Sequence, residues 1–199
     1  FSKWTVIGPL GLTNWSSAAG ANAGGTTPEL RLSWTPSFNG ESRIRSVVIP
    51  APNSVECTFT FKWFFDWFAN PSGTIGLAAT YDGGATTIPL WSVVDPTGNV
   101  GPETVSVLFT TPATEVANLQ FELYFIGNSF NNDNIYWDDM LLTYIIPVEL
   151  TSFAAVTDNR NVTLNWSTAT ELNNSGFQIE RSSGSEFQSV GFIAGHGTT

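Results

Sequence analysis

Carboxylates placed among aromatic side chains are the residues of this sequence whose types and spacing could do chemistry. Asp66 lies between Phe64 and Phe68 at alternate positions, so in a strand the three side chains share one face. Aromatic rings of this kind stack on sugar rings while a carboxylate accepts hydrogen bonds from hydroxyl groups. Tyr81 and Trp91 are predicted to complete such a ligand-binding platform. The alternative is that a loop, a second domain or another subunit covers this face.

A second set of carboxylates could hold a cation. In the predicted strand 135–146, Asp138 lies in register with Tyr136, Met140, Leu142 and Tyr144, so the five side chains are expected on one face. If those residues face the core, the charge of Asp138 needs compensation. The compensating group is either a structural calcium held by oxygen ligands or a set of backbone donors with an arginine such as Arg43 or Arg45. The predicted calcium ligands are Glu29, Asp138 and Asp139.

Nothing in the sequence predicts catalysis. His196 is the single histidine and lies in a glycine-rich segment, with no serine and aspartate arrangement that can be tied to it. Carboxylates are abundant, but a glycosidase needs two at a set separation across a cleft. The sequence has no phosphate-binding loop, zinc-ligand spacing or dinucleotide fingerprint. We therefore expect a protein that is not an enzyme and requires no cofactor beyond the calcium considered above.

Composition narrows the classes of partner. With 17 acidic and 7 basic residues the formal net charge is −10, which disfavours binding to nucleic acid. No window approaches 18 uninterrupted apolar residues, so no membrane insertion is expected. Hydrophobic residues make up 42% of the chain, enough for a large core, and the lone Cys57 is expected to be a buried hydrophobe. The first residue is Phe, which indicates a processed or partial product.

The alternation of aromatic residues predicts strands. In the segment 58–68 the odd-numbered residues from 59 to 67 are all Phe or Trp, as one core-facing side of a strand requires. Further strands are predicted at 29–34, 43–49, 74–81, 88–93, 104–109, 119–126 and 135–146, separated by Asn, Gly, Asp and Pro turns. This pattern predicts an all-β protein in which residues 1–146 form an antiparallel jelly-roll β-sandwich.

A second, smaller domain is predicted after Pro147, because proline is tolerated mainly at the start or edge of a strand. Its four predicted strands are 148–156, 161–167, 177–182 and 188–194. An immunoglobulin-like sandwich needs about seven strands. Four strands are too few for such a sandwich, so we expect residues 147–199 to be completed by further chain or by another molecule.

Two resemblances accompany this interpretation. The segments 147–153, 161–166, 168–177 and 179–182 resemble the fibronectin-III-like module of secreted Bacteroidetes and Ignavibacteria surface proteins of the type IX secretion type. This resemblance implies that residues 147–199 form a partial fibronectin-III/Ig-like β-sandwich. The first domain resembles the MAM-like or carbohydrate-binding-module-like jelly rolls of the same secreted proteins. The segments that carry this second resemblance are 28–29, 34–38, 66–68, 82–84, Trp91, 98–103 and 137–139. It implies an adhesive or polysaccharide-binding appendage, in some members with a structural calcium, and no catalytic residues.

Two functions follow as hypotheses, both for an extracellular or cell-surface protein. The main one is a structural or adhesive subunit that self-associates, as a homo-oligomer or filament, through an open strand edge of the second domain. The alternative is a carbohydrate-binding module of a larger secreted protein, with polysaccharide as partner. The predicted self-assembly edge consists of Phe177, Ile179, Val190, Phe192 and Ile193.

Overall fold

The computed structural model describes residues 2–114, 118–144, 148, 150–169, 171 and 174–195. It divides into two compact units, Phe1–Tyr144 and Ile145–Thr199. No α-helix occurs among the described residues, and therefore none that is long and apolar enough to cross a bilayer. The predicted all-β class is confirmed.

The first unit consists of two five-stranded antiparallel sheets. Sheet A has the strand order β1-β4-β9-β6-β7, and sheet B has the order β2-β3-β10-β5-β8. A 3-10 turn, Ser129–Asn131, joins β9 to β10. The strands are β1 Trp4–Val6, β2 Trp15–Ala18, β3 Glu29–Ser33, β4 Asn39–Ser46, β5 Glu56–Trp67, β6 Gly73–Thr80, β7 Ile88–Val94, β8 Val100–Thr110, β9 Gln120–Asn128 and β10 Asn132–Tyr144.

The core lies between these sheets and is dominated by aromatic rings. Along β5 the side chains of Phe61, Trp63 and Phe65 are fully buried, which confirms the predicted core face. Phe59 on the same face stacks on Phe121 of sheet A, with ring centroids 4.1 Å apart. The residues between them on β5 point to the opposite, outer face of sheet B. This alternation determines which polar side chains of sheet B are available to a ligand.

A bulge in β10 breaks the alternation that the sequence predicted for this strand. Asp138 lies opposite Lys62 of β5, but Leu141 lies opposite Thr60, so β10 has one extra residue at this point. Asp139 takes up the irregularity with a φ of 46°. Because Trp137 faces the core, Asp138 lies on the outer face of sheet B and not on the core face. The end of the predicted strand, residues 145 and 146, lies outside the described residues.

Two strands were missed by the sequence reading. β1 has three residues and β2 has four, and both pair antiparallel at the edges of their sheets, with β4 and β3 respectively. Runs this short carry no clear period of two, so pattern alone does not detect them. Their pairing nevertheless determines which strands form the edges of each sheet.

The second unit consists of two hairpins. Strands β11 (Leu150–Asp158) and β12 (Asn161–Thr168) pair antiparallel, as do β13 (Gly176–Ser182) and β14 (Phe187–Ala194). Trp166 of the first hairpin meets Phe177 of the second with ring centroids 5.6 Å apart. None of the described residues from 150 to 195 is buried. This unit therefore has no closed core within the described residues.

Candidate ligand-binding faces

The outer face of sheet A carries a buried carboxylate between two guanidinium groups. The side chain of Glu122 has no exposed surface. Its Oε2 accepts a hydrogen bond from Nη1 of Arg43 at 2.6 Å, and its Oε1 accepts one from Nε of Arg45 at 2.7 Å. Glu122 alternates along β9 with the core residue Leu123, so this cluster lies on the outside of the sandwich. We call Arg43, Arg45 and Glu122 the ion cluster of sheet A.

Arg43 is held from three directions. Its Nε donates to Oε1 of Glu41 at 2.7 Å, and its guanidinium carbon lies 4.7 Å from the ring centroid of Tyr124. Burial by itself lowers the pKa of Arg43, but the hydrogen bonds with Glu41 and Glu122 outweigh it, so the pKa lies above its ordinary value. Arg43 therefore keeps one charge state and one geometry.

Small residues leave room beside this cluster. On β6, Gly76 lies opposite Tyr124 and Ala78 lies opposite Glu122 in the ladder. The ring of Tyr124 rests on Gly76 so closely that a side-chain carbon there would collide with it. At these two positions β6 therefore places no large side chain beside Tyr124 and Glu122.

The loop between β6 and β7 contacts the ion cluster of sheet A. The carbonyl oxygen of Gly83 accepts a hydrogen bond from Nη1 of Arg45. Asp82 anchors the loop by accepting from the hydroxyl of Thr80 and from the amide of Thr86, each at 2.9 Å. Hydrogen bonds from Thr86 and Thr80 lower the pKa of Asp82 to about 2. Arg45 is thus held by two hydrogen bonds, one to the loop carbonyl of Gly83 and one to the carboxylate of Glu122.

Part of the sugar platform predicted from the sequence lies on the outer face of sheet B. Phe64 stacks on Tyr136 of β10, with centroids 6.1 Å apart and planes inclined by 21°. Asp66 lies on the same face, opposite Asn134. Burial raises the pKa of Asp66, the nearby Asp133 raises it further, and a hydrogen bond with Asn134 acts in the other direction. An aromatic pair and a half-buried carboxylate therefore do share this face.

Tyr81 and Trp91 do not belong to that platform, and this part of the prediction is wrong. Trp91 makes edge-on contacts with Phe61 and Trp63, at centroid distances of 5.2 and 4.9 Å, so it packs against the core side of sheet B. Tyr81 also packs against the core. The physical reason is that β7 belongs to sheet A, and Trp91 on it points toward the core, on the side of sheet B opposite Asp66.

Phe68 has other neighbours. It is 52% exposed and meets Phe130 edge-on at 5.7 Å, while Phe130 meets Trp34 edge-on at 5.6 Å. Trp34 and Phe130 were not identified as candidates from the sequence: Trp34 was expected at the end of the strand 29–34, whereas β3 ends at Ser33, and Phe130 lies in a turn, where alternation gives no information. Exposed aromatic residues next to turn signals were the available clue.

Of the three predicted calcium ligands, Asp139 is already paired with a lysine, whereas Glu29 and Asp138 have no such partner in the described part of the chain. Glu29 and Asp138 line one cavity of about 190 Å³. Asp139 lines it as well, but its carboxylate binds Nζ of Lys62 at 2.8 Å. In the part of the chain that the structure describes, no group of three or more His, Cys, Asp or Glu side chains could hold a metal ion.

Glu29 and Asp138 differ in how their oxygens are used. Glu29 accepts from the side-chain amide of Asn22 at 2.5 Å and from the backbone amide of Ala23 at 2.9 Å. Oδ2 of Asp138 is buried and has no hydrogen-bond partner among the described residues. Burial raises the pKa of Asp138, and repulsion from Asp139 and Glu29 adds to this effect. Arg43 and Arg45, which were expected as alternative partners of Asp138, instead pair with Glu122 on the other sheet.

The residues of the predicted self-assembly edge all lie in the hairpin of β13 and β14. Phe177 pairs with Ile193 in the ladder, and Phe192 pairs with Gln178, so apolar side chains occur on both faces. Phe192 and Ile193 are 61% and 50% exposed. Val190 is exposed as well, whereas Phe177 and Ile179 are half-buried.

No family model matches this chain, and no curated protein matches it. The MAM-like, fibronectin-III-like and type IX secretion resemblances therefore stay predictions. The chain is similar to several solved structures. One is the K1 cleaved adhesin domain of Lys-gingipain from Porphyromonas gingivalis W83, with 14% identity, a TM-score of 0.50, and coverage of 70% of this chain and 89% of that one.

Two carbohydrate-binding modules are also similar. TmCBM61 in complex with β-1,4-galactotriose has 14% identity and a TM-score of 0.46, covering 73% of this chain and 90% of that one. A family 16 carbohydrate-binding module has 21% identity and a TM-score of 0.44, covering 65% and 85%. At such identities a likeness shows the fold alone. The two antiparallel sheets of the first unit therefore form a jelly-roll β-sandwich of the architecture found in the adhesin domain.

Proposed function

We propose that this chain is a non-catalytic carbohydrate-binding module of an extracellular protein, and that it binds a neutral glycan on the outer face of sheet A. The observation that carries the proposal is the ion cluster of Arg43, Arg45 and Glu122. Two guanidinium groups and a fully buried carboxylate are held there on a face that does not belong to the core. Burying these charged groups costs desolvation free energy, and a surface with a purely structural role does not need charged groups buried in this way.

Charge balance favours a neutral ligand. Arg43 and Arg45 contribute two positive charges, and Glu41 and Glu122 contribute two negative ones, so the group has no net charge. Nη2 of each arginine has no hydrogen-bond partner among the described residues. Arg43 and Arg45 can therefore donate to hydroxyl oxygens, and the half-exposed Glu41 can accept from hydroxyl groups. Sugar hydroxyls both donate and accept, which matches this set.

The same contacts argue against hydrolysis at this face. Both carboxylate oxygens of Glu122 already accept hydrogen bonds from guanidinium groups. A nucleophilic carboxylate or an acid that transfers its proton needs a free oxygen directed at the glycosidic bond. The ion cluster is therefore suited to holding a ligand and not to cleaving it.

Affinity electrophoresis in native gels tests the proposal. We expect at least one of the soluble polysaccharides xylan, β-1,4-galactan and mixed-linkage β-glucan to retard the protein. Replacing Arg43 by Lys keeps the charge but removes the planar fork of donors, so binding weakens roughly tenfold. Arg31→Lys on the outer face of sheet B is the matched control and leaves this binding unchanged. Equal retardation of the Arg43→Lys variant and the wild type would contradict the proposal.

The second candidate function is self-association through the hairpin of β13 and β14. The observation that favours it is the lack of any buried residue among the described residues of the second unit, together with the exposed Val190, Phe192 and Ile193. Exposed apolar strands with a free edge are templates for pairing with another strand.

Light scattering over a range of protein concentrations tests self-association. We expect oligomers that grow with concentration and are lost when Phe192→Ser and Ile193→Thr are combined. The control variant is Leu108→Ser, which removes an equally exposed apolar residue of the first unit. A wild-type protein that stays strictly monomeric at millimolar concentration would contradict self-association.

We also infer that the cavity beside Glu29 and Asp138 holds a structural calcium, with Asp138 as its main carboxylate ligand, because the described residues offer no group of three acidic, His or Cys ligands. The unpartnered buried Oδ2 of Asp138 supports this, because a cation provides the compensation that the described residues do not. Carboxylates and backbone carbonyls are the ligands that calcium prefers. Thermal unfolding with calcium chloride, compared with a chelator, tests the inference: the melting temperature rises with calcium in the wild type. An unchanged melting temperature argues against it.

A further inference from the structure

Three aromatic rings form an exposed group at one end of sheet B, and we call Trp34, Phe68 and Phe130 the loop-end aromatic cluster. Phe130 stands between the other two, with centroid distances of 5.6 Å to Trp34 and 5.7 Å to Phe68. Both contacts are edge-on, with interplanar angles of 87° and 85°. Phe68 and Phe130 are each about half exposed, at 52% and 50%, and Trp34 is half-buried. The rings therefore form a corner that solvent reaches.

A buried serine ties the first ring to the turn that carries Phe130. Ser129 is 1% exposed, and its Oγ donates to the carbonyl oxygen of Trp34 at 2.9 Å. The same Oγ accepts from the amide of Phe38 at 2.9 Å, and the amide of Ser129 donates to the carbonyl oxygen of Phe38 at 2.9 Å. These three bonds join the 3-10 turn to the connection between β3 and β4. Trp34 and Phe130 thus keep a defined relative position.

Asn131 ties the turn to the third ring. Its carbonyl oxygen accepts from the amides of Phe68 and Ala69, at 3.2 and 3.1 Å. Its side-chain amide donates to the carbonyl oxygen of Pro71 at 2.9 Å. Three connections between strands are therefore linked through one turn. Side chains on loops that are fixed in this way meet a ligand without a large ordering cost.

The exposed area is too small for a stable protein interface. A Phe or Trp side chain has roughly 150 to 250 Å² of surface in total, so two half-exposed Phe rings and the less exposed Trp34 together offer at most about 300 Å². A standard protein interface needs about 800 Å² on each partner. One sugar ring, in contrast, covers an area of this size.

Polar groups border the cluster and indicate the kind of ligand. Asp66 lies near the end of β5, two residues before Phe68, and is opposite Asn134. The carbonyl oxygen of Asp133 accepts from the amide of Trp34 at 3.2 Å, and the carboxylate of Asp133 is close enough to that of Asp66 to repel it. An apolar partner would desolvate the carboxylates of Asp66 and Asp133 without replacing their hydrogen bonds. Two carboxylates also disfavour an anionic ligand. A ring with apolar faces and hydroxyl groups at its edge meets both requirements.

We propose that the loop-end aromatic cluster is a second carbohydrate contact, which stacks one pyranose ring of a neutral glycan and is separate from the outer face of sheet A. Trp34, Phe68 and Phe130 contact the faces of the sugar ring, and acceptors on the adjoining strands bind its hydroxyl groups. The inference extends the proposed function from one contact to two. A module with two contacts on different parts of the sandwich can bridge two glycan chains or two segments of one chain.

The test measures the two contacts separately in the same native gels, with xylan, β-1,4-galactan and mixed-linkage β-glucan as probes. Phe130→Ala and Phe68→Ala each weaken retardation by at least one polysaccharide roughly tenfold, the usual effect of truncating an aromatic residue at the centre of a contact. Phe153→Ala removes a 63% exposed ring of the second unit and is the matched control, with no effect on binding. Thermal unfolding of each variant, compared with the wild type, serves as the control that the variants are folded.

Combination with Arg43→Lys separates this inference from the proposed function. If both contacts bind, Phe130→Ala and Arg43→Lys each retain part of the retardation, and the variant that combines these two substitutions loses it. If only Phe130→Ala and Phe68→Ala weaken binding, the loop-end aromatic cluster is supported as a contact and the proposed binding on sheet A is contradicted. If only Arg43→Lys weakens binding, or if none of the three polysaccharides retards the wild type, the second contact is overturned.

Discussion

Lys62 lies directly opposite Asp138 in the ladder between β5 and β10, but its ammonium group binds the carboxylate of the next residue, Asp139, at 2.8 Å. The bulge at Asp139 causes this, because a φ of 46° turns its side chain to the face that Lys62 occupies. Asp138 is left with one oxygen bound to the amide of Asp139 and the other buried without a partner among the described residues. The bulge thus separates a paired carboxylate from an unpaired one.

Replacing Asp138 by Asn is expected to stabilise the first unit at pH 7 in the presence of a chelator. The folded pKa of Asp138 lies above the ordinary value of 3.8, mainly because of burial. A carboxyl group with a raised folded pKa costs stability as the pH rises from the unfolded pKa through the folded one, and imposes no cost below that window. The gain is about 1 kcal/mol in the free energy of unfolding, measured by urea titration.

The control for this prediction is Asp139→Asn, which removes the ion pair with Lys62. The pKa of Asp139 is lowered, chiefly by its hydrogen bond with Lys62, so the sign reverses and this variant is slightly less stable at pH 7. With calcium present, Asp138→Asn also loses the rise in melting temperature expected of the wild type. A destabilised Asp138→Asn protein in chelator would contradict the prediction.

Replacing Glu122 by Gln is expected to destabilise the first unit by roughly 2 to 4 kcal/mol, because two guanidinium groups then face a neutral amide. Both arginines are mostly buried, with side-chain exposures of 15% and 19%. Glu41→Gln removes a carboxylate that is 37% exposed and costs less than about 1 kcal/mol. Urea unfolding monitored by tryptophan fluorescence gives both values, and equal losses for the two variants would argue against the assigned cluster.

Replacing Gly76 by Ala is expected to cost about 1 to 3 kcal/mol, since the added methyl group overlaps the ring of Tyr124. The displaced ring also loses its contact with Arg43, so glycan binding on sheet A weakens along with stability. Gly191→Ala in β14 is the control, because nothing lies within 4 Å of the added carbon there. A Gly76→Ala protein as stable as the wild type would show that Tyr124 does not rest on this glycine.

The carboxyl group of Asp82 is expected to titrate near pH 2, below the ordinary value of 3.8. Its folded pKa is depressed by hydrogen bonds from Thr86 and Thr80, so the anchoring of the loop is fully present above about pH 4 and is lost as the pH falls through 2. Carbon-13 NMR of the carboxyl group measures the midpoint. A midpoint for Asp82 at the ordinary value of 3.8 would contradict this role.

Much of the fold follows from local chemistry. Alternating Phe and Trp residues from 59 to 65 can bury one face only as a strand, and the structure has this face at the centre of the core. Short strands between Gly, Asn and Pro turns require antiparallel sheets, as found. The sequence also indicated that Phe64 and Asp66 share an outer face, because the period of two in a strand is a local property.

The pairing of distant segments was beyond the sequence. Which sheet receives β7 decides that Trp91 packs on Phe61 and Trp63 rather than beside Asp66. The extra residue in β10 decides that Asp138 leaves the core face, and a bulge has no period to detect. The partner of Arg43 is Glu122, 79 residues away, and only the ladder between β4 and β9 brings their charges together. Local alternation determines on which side of a strand a residue lies, whereas the pairing and packing of distant strands determine which residues it contacts.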